Sequence, residues 1–155
     1  MARQLWLLRH GEAVPHDDAP DHDRELTERG RNQSRAAGRA LSALEVEVHL
    51  CFTSPKVRAR QTAELACEAL GVEPVDEDAL SEDFDGRAAL DLMRAAGPDQ
   101  RVLAVGHEPD LSQVVYDLTG GRVDFKKGGV AGIRLDGSRG ELIVLLRPRE
   151  TDRLG

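Results

Sequence analysis

The sequence predicts an α/β fold: a three-layer sandwich with a mostly parallel central sheet, helices on both faces and a C-terminal antiparallel hairpin. Three observations predict it. The runs Leu5-Trp6-Leu7-Leu8 and Val102-Leu103-Ala104-Val105 are apolar at consecutive positions, as strands buried on both faces are. Between them lie segments whose apolar residues recur at helical spacing. Near the end, two apolar stretches flank Asp136-Gly137-Ser138-Arg139-Gly140, a turn-rich sequence that suits a hairpin.

In chain order, Gln4 to Leu8 reads as the first strand, followed by a polar loop from Val14 to Glu25. Thr27 can cap a helix whose stripe is Ala36, Ala37, Ala40, Leu41 and Leu44, although Gly30 and Gly38 lower its helix propensity. Val48 to Thr53 predicts a second strand. Ser54-Pro55 predicts a helix start, with a hydroxyl cap and Pro at the first helical position. Its stripe is Thr62, Leu65, Ala66, Ala69 and Leu70, ending at Gly71.

Val72 to Asp85 is acidic and reads as mostly irregular. Ala88 to Ala96 predicts a short helix closed by Gly97-Pro98, and Arg101 to Val105 a third buried strand. Pro109 opens a helix with Leu111, Val114, Val115 and Leu118 on one face, ended by Gly120-Gly121. Val130 to Leu135 and Glu141 to Leu146 predict the hairpin. With no repeat, linker or low-complexity tract, residues 1–155 are expected to form a single domain.

Charge narrows the function classes. The chain has 28 acidic against 21 basic residues, a net charge of −7, and only 3% aromatic residues. An acidic surface without stacking platforms argues against nucleic acid as partner. No apolar run approaches the roughly 20 residues that span a bilayer, so the expected location is the cytoplasm, away from the membrane. Cys51 and Cys67 fall in a strand and a helix without CxxC spacing and read as reduced structural thiols. All but three of the 21 basic residues (Lys56, Lys126 and Lys127) are Arg, which fits either a GC-rich genome or the bidentate grip of Arg on phosphate.

In open α/β sheets, ligands bind beyond the carboxyl ends of the strands. The first strand runs into Arg9-His10-Gly11, the second into Thr53-Ser54-Pro55 with Arg58 one turn on, and the third into Gly106-His107. Two imidazoles and two guanidiniums at neighbouring exits form a cationic pocket suited to phosphate, and a helix start beside them favours an anion further.

The blocks Leu8-Arg9-His10-Gly11-Glu12-Ala13, Leu26-Thr27-Glu28-Arg29-Gly30, Ser54 to Thr62 and Val105-Gly106-His107-Glu108-Pro109 resemble, in order and distance, those of the histidine phosphatase superfamily with its RHG signature. With the short length, the likeness is strongest to the SixA-type phosphohistidine phosphatases. The resemblance implies a phosphoglycerate mutase-like fold and a phosphatase that works through a phosphohistidine enzyme intermediate without a cofactor or metal. It makes His10 the nucleophile, and sets Arg9, Arg58 and His107 around the phosphoryl oxygens, beside Gly11. Arg24 stands where relatives often carry a basic residue that can touch substrate.

Phosphomonoesterases and mutases of the superfamily add a carboxylic acid for the leaving group, and Glu82, in Glu82-Asp83-Phe84-Asp85, is the candidate here. The stretch departs from the Leu-x-Pro pattern of SixA-like relatives, reading Leu80-Ser81-Glu82. A phosphohistidine leaves as imidazole, with a pKa of about 6.5, and needs less acid help than an alkoxide. Short connections leave little material for a lid, so the pocket is expected to be open and suited to phosphohistidine on a protein. Small phosphoesters with the same mechanism are the alternative, and a phosphate- or phosphoprotein-binding module without catalysis is the rival from another class. Metal-dependent hydrolysis through His16-Asp17-Asp18 and Asp21-His22-Asp23 matches no defined ligand pattern. Gln61 and Thr62 fit the family block, although Thr62 also lies on the apolar stripe and reads as structural; Arg60 reads as solvated, while Lys126 and Lys127 form a rim that either meets an acidic partner or is simply solvated.

Overall fold

Strand β1 (Gln4–Arg9) sits near the middle of the sheet and is buried on both faces. Leu5 and Leu7 pack into one core cluster, and Trp6 and Leu8 into the other. β4 (Arg101–Gly106) repeats the pattern, with Val102 and Ala104 on the first side and Leu103 and Val105 on the second. This two-sided burial is why both strands read as unbroken apolar runs. The structure, a computed structural model, describes residues 2–155.

The remaining strands are β2 (Leu50–Thr53), β3 (Pro74–Asp76), β5 (Val130–Asp136) and β6 (Arg139–Leu146). The sheet order is β3-β2-β4-β1-β5-β6. β1, β2, β3 and β4 run parallel, while β5 is antiparallel to β1 and forms the expected hairpin with β6. Helices α1 (Glu28–Ala43) and α2 (Val57–Leu70) cover the face of Trp6 and Leu8, and α3 (Gly86–Leu92) and α4 (Asp110–Thr119) the face of Leu5 and Leu7. A fifth helix, α5 (Pro148–Leu154), packs on α1. The mostly parallel α/β sandwich is therefore present, and no helix among the described residues is long and apolar enough to cross a membrane.

Thr27 caps α1 as expected, its hydroxyl accepting the Gly30 N–H. The two glycines that weaken this helix in isolation permit its packing. A Cβ on Gly38 would lie 2.2 Å from the Ala66 carbonyl oxygen, and one on Gly30 would lie 2.0 Å from that of Glu12. The first lets α1 and α2 touch, and the second lets the RHG loop lie directly on α1.

Several expected boundaries are corrected. α2 begins at Val57, not at Ser54-Pro55, because the Ser54 N–H still bonds the Val105 carbonyl and continues the β2–β4 ladder. The strand before it starts at Leu50 rather than Val48. The segment from Val72 to Asp85 is mostly irregular, as expected, but also holds β3 and a 3-10 turn at Asp78–Leu80. β3 has three residues, starts with Pro and sits exposed at the sheet edge, so it carries no alternation to read. The helix expected over Ala88 to Ala96 begins earlier, at Gly86, where the Asp85 carboxylate accepts the Ala88 N–H, and passes at Met93–Ala95 into a 3-10 turn. α5 lacks an apolar stripe, only Thr151 being buried; its start is marked by Pro148 and by Glu150 bonding back to Arg147.

Candidate active site

The carboxyl ends of β1, β4 and β2 meet at one edge of the sheet, and each exit is pinned to its neighbour. His10 N–H bonds the Gly106 carbonyl at 3.1 Å, extending the β1–β4 pairing by one residue, and Ser54 N–H bonds Val105 at 3.0 Å. The strands thereby bring His10, Arg9, Arg58 and His107 together. The imidazole centroids of His10 and His107 are 5.1 Å apart, and both rings, with Arg58, are buried.

His10 is held in one tautomer. Its Nδ1 lies 2.7 Å from the Gly11 carbonyl, which can only accept, so Nδ1 carries the proton and Nε2 keeps its lone pair. Burial pushes its pKa down to about 3, with Arg58, Arg9 and Lys127 adding to the drop against the opposing Gly11 bond. His107 is pushed down to about 3 as well, by burial first and then by His10, Arg58 and Lys56. Both imidazoles are therefore neutral near pH 7. The His107 Nε2 is 2.8 Å from the Ser54 hydroxyl, which itself accepts the Lys56 N–H. If Ser54 gives its proton to Nε2, Nδ1–H is left as a donor.

The two guanidiniums are fixed by backbone oxygens. Arg9 donates to the Phe125 carbonyl at 2.7 Å, and Arg58 to the Asp21 carbonyl at 2.8 Å. Burial lowers the pKa of each, but guanidinium remains charged. Among the described residues, three buried side-chain nitrogens lack a hydrogen-bond partner: Arg9 Nε, Arg58 Nε and His107 Nδ1. A buried donor left unmatched costs about 1–3 kcal/mol, so each of these nitrogens would gain from an acceptor brought beside it. Neutral imidazole with an open lone pair beside two guanidiniums can attack a phosphorus atom while its oxygens are neutralised.

Residues around the cluster hold it in shape. The Thr62 hydroxyl, read from sequence as structural, accepts the Gly11 N–H at 3.1 Å and donates to the Arg58 carbonyl at 2.7 Å, joining the RHG loop to α2. Gln33 accepts the Glu12 N–H, and Gln61 the Leu26 N–H. Asp21, in a 3-10 turn at Asp21–Asp23, has its carboxylate 3.5 Å from Arg58, 3.4 Å from Lys56 and 3.3 Å from Arg24. Although burial works the other way, these cations hold its pKa below the ordinary carboxylate value. The polar loop thus reaches Arg58, where the sequence offered no signal of contact.

Arg24 lies one step from the cluster, bonding the Val14 carbonyl at 3.0 Å as well as Asp21. Glu82 is exposed, and no hydrogen bond or ion pair ties it to the cluster among the described residues. Asp110, at the start of α4, is a carboxyl that sequence reasoning passed over: burial raises its pKa, against a bond from the Phe84 N–H and the charge of Lys56. Arg60 forms surface ion pairs with Asp76 and Glu64, in keeping with its reading as a solvated residue directed away from Arg58. Cys51 and Cys67 are buried and free. His16 and His22 lie beside Asp21 and Asp23, and no three His, Cys, Asp or Glu residues converge as metal ligands among the described residues.

The histidine phosphatase superfamily (branch 1) model matches residues 5–88. An uncharacterized protein of Picosynechococcus is 34% identical over 94% of this chain and 97% of its own length. The phosphohistidine phosphatase SixA of Escherichia coli is 31% identical over 87% of each chain. Among solved structures, the protein histidine phosphatase SixA complexed with tungstate superposes with a TM-score of 0.85 at 28% identity, over 95% of this chain and 98% of that one. The chain spans about half or less of several longer curated relatives, 53% of one and 38% of another.

Proposed function

The chain belongs to the histidine phosphatase superfamily, and we propose that this phosphatase removes phosphoryl groups from phosphohistidine in proteins, with His10 as nucleophile. The observation that carries the reading is the cluster itself: an imidazole lone pair at His10 Nε2 beside the unpartnered nitrogens of Arg9, Arg58 and His107.

In the first step His10 Nε2 attacks phosphorus, the P–N bond to the substrate imidazole breaks, and the departing ring keeps the bonding pair and takes a proton from solvent water. In the second, water attacks phosphorus, the P–Nε2 bond breaks, and phosphate leaves as the water gives up its proton. Gly11 holds the His10 ring in the attacking tautomer through both steps. Arg9 and Arg58 neutralise the equatorial oxygens and His107 donates a hydrogen bond to them through Nδ1–H, the role that dominates phosphoryl transfer. Because the substrate leaves as an imidazole, the exposed Glu82 is not required as an acid, and Arg24, paired with Asp21, stands at the border of the site.

Protein-borne phosphohistidine is supported by the near full-length match to SixA, against partial matches to longer relatives. Turnover of a phosphohistidine protein, of an aryl phosphate and of sugar phosphates tests it. The phosphohistidine protein is expected to be the fastest; faster turnover of the sugar phosphates would assign the enzyme to small phosphoesters. No turnover of any of them by folded protein would leave a binding module.

A further inference from the structure

A groove of about 540 Å³ opens beside the site and shares Arg9 with it. Its basic lining is Arg9, Arg29, Lys126, Lys127, Arg147 and Arg149, brought together from the end of β1, the start of α1, the loop before β5 and the start of α5. Two of the chain's three lysines are here, on a protein of net charge −7. The loop is held against the RHG segment, since the Gly128 N–H reaches the Arg9 carbonyl at 3.0 Å and Arg9 donates to Phe125.

Carboxylates face these cations as well. Glu12 lies 3.6 Å from Arg29 and Asp124 2.9 Å from Lys126, while Glu150 serves both Arg147, at 2.9 Å, and Arg149, at 3.5 Å. Lys127 has no ion pair among the described residues, and its charge reaches His10. The groove's own lining thus holds six cations and one carboxylate, Glu12, while Asp124, Glu150 and Glu108 act on those cations from outside it and Glu28 and Asp152 line the adjoining pocket with Arg29 and Arg149.

We propose that this groove binds an acidic polypeptide segment of the substrate protein, next to the phosphorylated residue. The inference rests on the proposed action on proteins and names which surface of the partner is recognised. The distribution of the charge favours a polypeptide. The side chains of Arg29, Lys126 and Arg149 are 75%, 56% and 71% exposed, so they are not the buried, fixed forks that a small polyanion needs. Mobile surface cations instead steer a partner bearing several carboxylates, and exposed ion pairs exchange readily for those of the partner. Arg9 lies at the junction, so a segment seated in the groove leads into the pocket.

The test compares the wild-type protein with the triple variant Arg29→Glu, Lys126→Glu, Arg149→Glu. Binding of a fluorescent glutamate-rich peptide without a phosphoryl group is read by anisotropy, and turnover is read on aryl phosphate and on a phosphohistidine peptide flanked by glutamates. We expect the variant to lose peptide binding by about tenfold or more, with the wild-type affinity falling as salt rises. KM for the phosphohistidine peptide should rise similarly, while aryl phosphate turnover stays within about twofold. Equal peptide binding by both proteins overturns the proposal. So does inhibition by inorganic tripolyphosphate that the variant abolishes while peptide binding persists, since the groove then takes a small polyanion. If wild-type protein binds the peptide but cleaves only the aryl phosphate, the groove stands and the phosphohistidine reading fails.

Discussion

Thr62→Val removes one hydroxyl and little else in shape, and it isolates the link between the RHG loop and α2. Thr62 is fully buried; its oxygen accepts the Gly11 N–H and donates to the Arg58 carbonyl. In the variant the Arg58 carbonyl keeps its helical partner, but the Gly11 N–H is left buried and unmatched, at a cost of about 1–3 kcal/mol. The activity loss has a separate cause. The Gly11 carbonyl holds the His10 ring at 2.7 Å, so a shift of that peptide re-aims Nε2, and misplacement of about 1 Å costs about 100-fold. Urea unfolding should show the stability loss, and rapid-quench kinetics should show kcat lower by about 10- to 100-fold with KM nearly unchanged. Thr62→Ser keeps both hydrogen bonds and should retain most of the activity. Wild-type kcat and stability in Thr62→Val, or a Ser variant as impaired as the Val variant, would refute the positioning role.

Asp21→Asn removes the carboxylate that competes with a phosphoryl group for Arg58 and Lys56; inorganic phosphate should inhibit the variant about tenfold more tightly, and an unchanged or weaker inhibition constant contradicts that competition. Stability should fall on acidification. The unfolded imidazoles of His10 and His107 take up protons below about 6.5, while burial keeps the folded ones neutral down to about 3, so stability is complete above that window and lost as pH falls through it. Urea midpoints across this range should slope for the wild type and flatten in the double variant His10→Gln, His107→Gln; equal slopes would place the acid sensitivity elsewhere. Gly38→Ala would put a Cβ against the Ala66 carbonyl, and the forced separation of α1 and α2 should lower stability by about 1–3 kcal/mol, read from thermal or urea denaturation.

The central strands were legible because both faces of β1 and β4 are buried, which leaves an unbroken apolar signature, and the helices of both layers were legible from their stripes. β3 and α5 were not: one is a three-residue edge strand and the other buries little beyond Thr151, so neither carries a period. At the site, Arg9, His10, Arg58 and His107 could be singled out because each follows a strand exit. Ser54, Thr62 and Asp21 could not, since their roles arise from contacts across the chain, Thr62 to Gly11 and Arg58 to Asp21 among them. Glu82 attracted notice as one acid in a run of acids, and its exposure fits a solvated charge run as well.

Capture of the covalent intermediate tests the proposed chemistry most directly. Wild-type protein mixed with labelled phosphohistidine protein, quenched within one turnover under alkaline conditions and mapped by mass spectrometry, should carry one acid-labile phosphoryl group on His10. The His10→Ala variant should carry none and show no turnover. Label on another residue, or full activity in His10→Ala, contradicts the account.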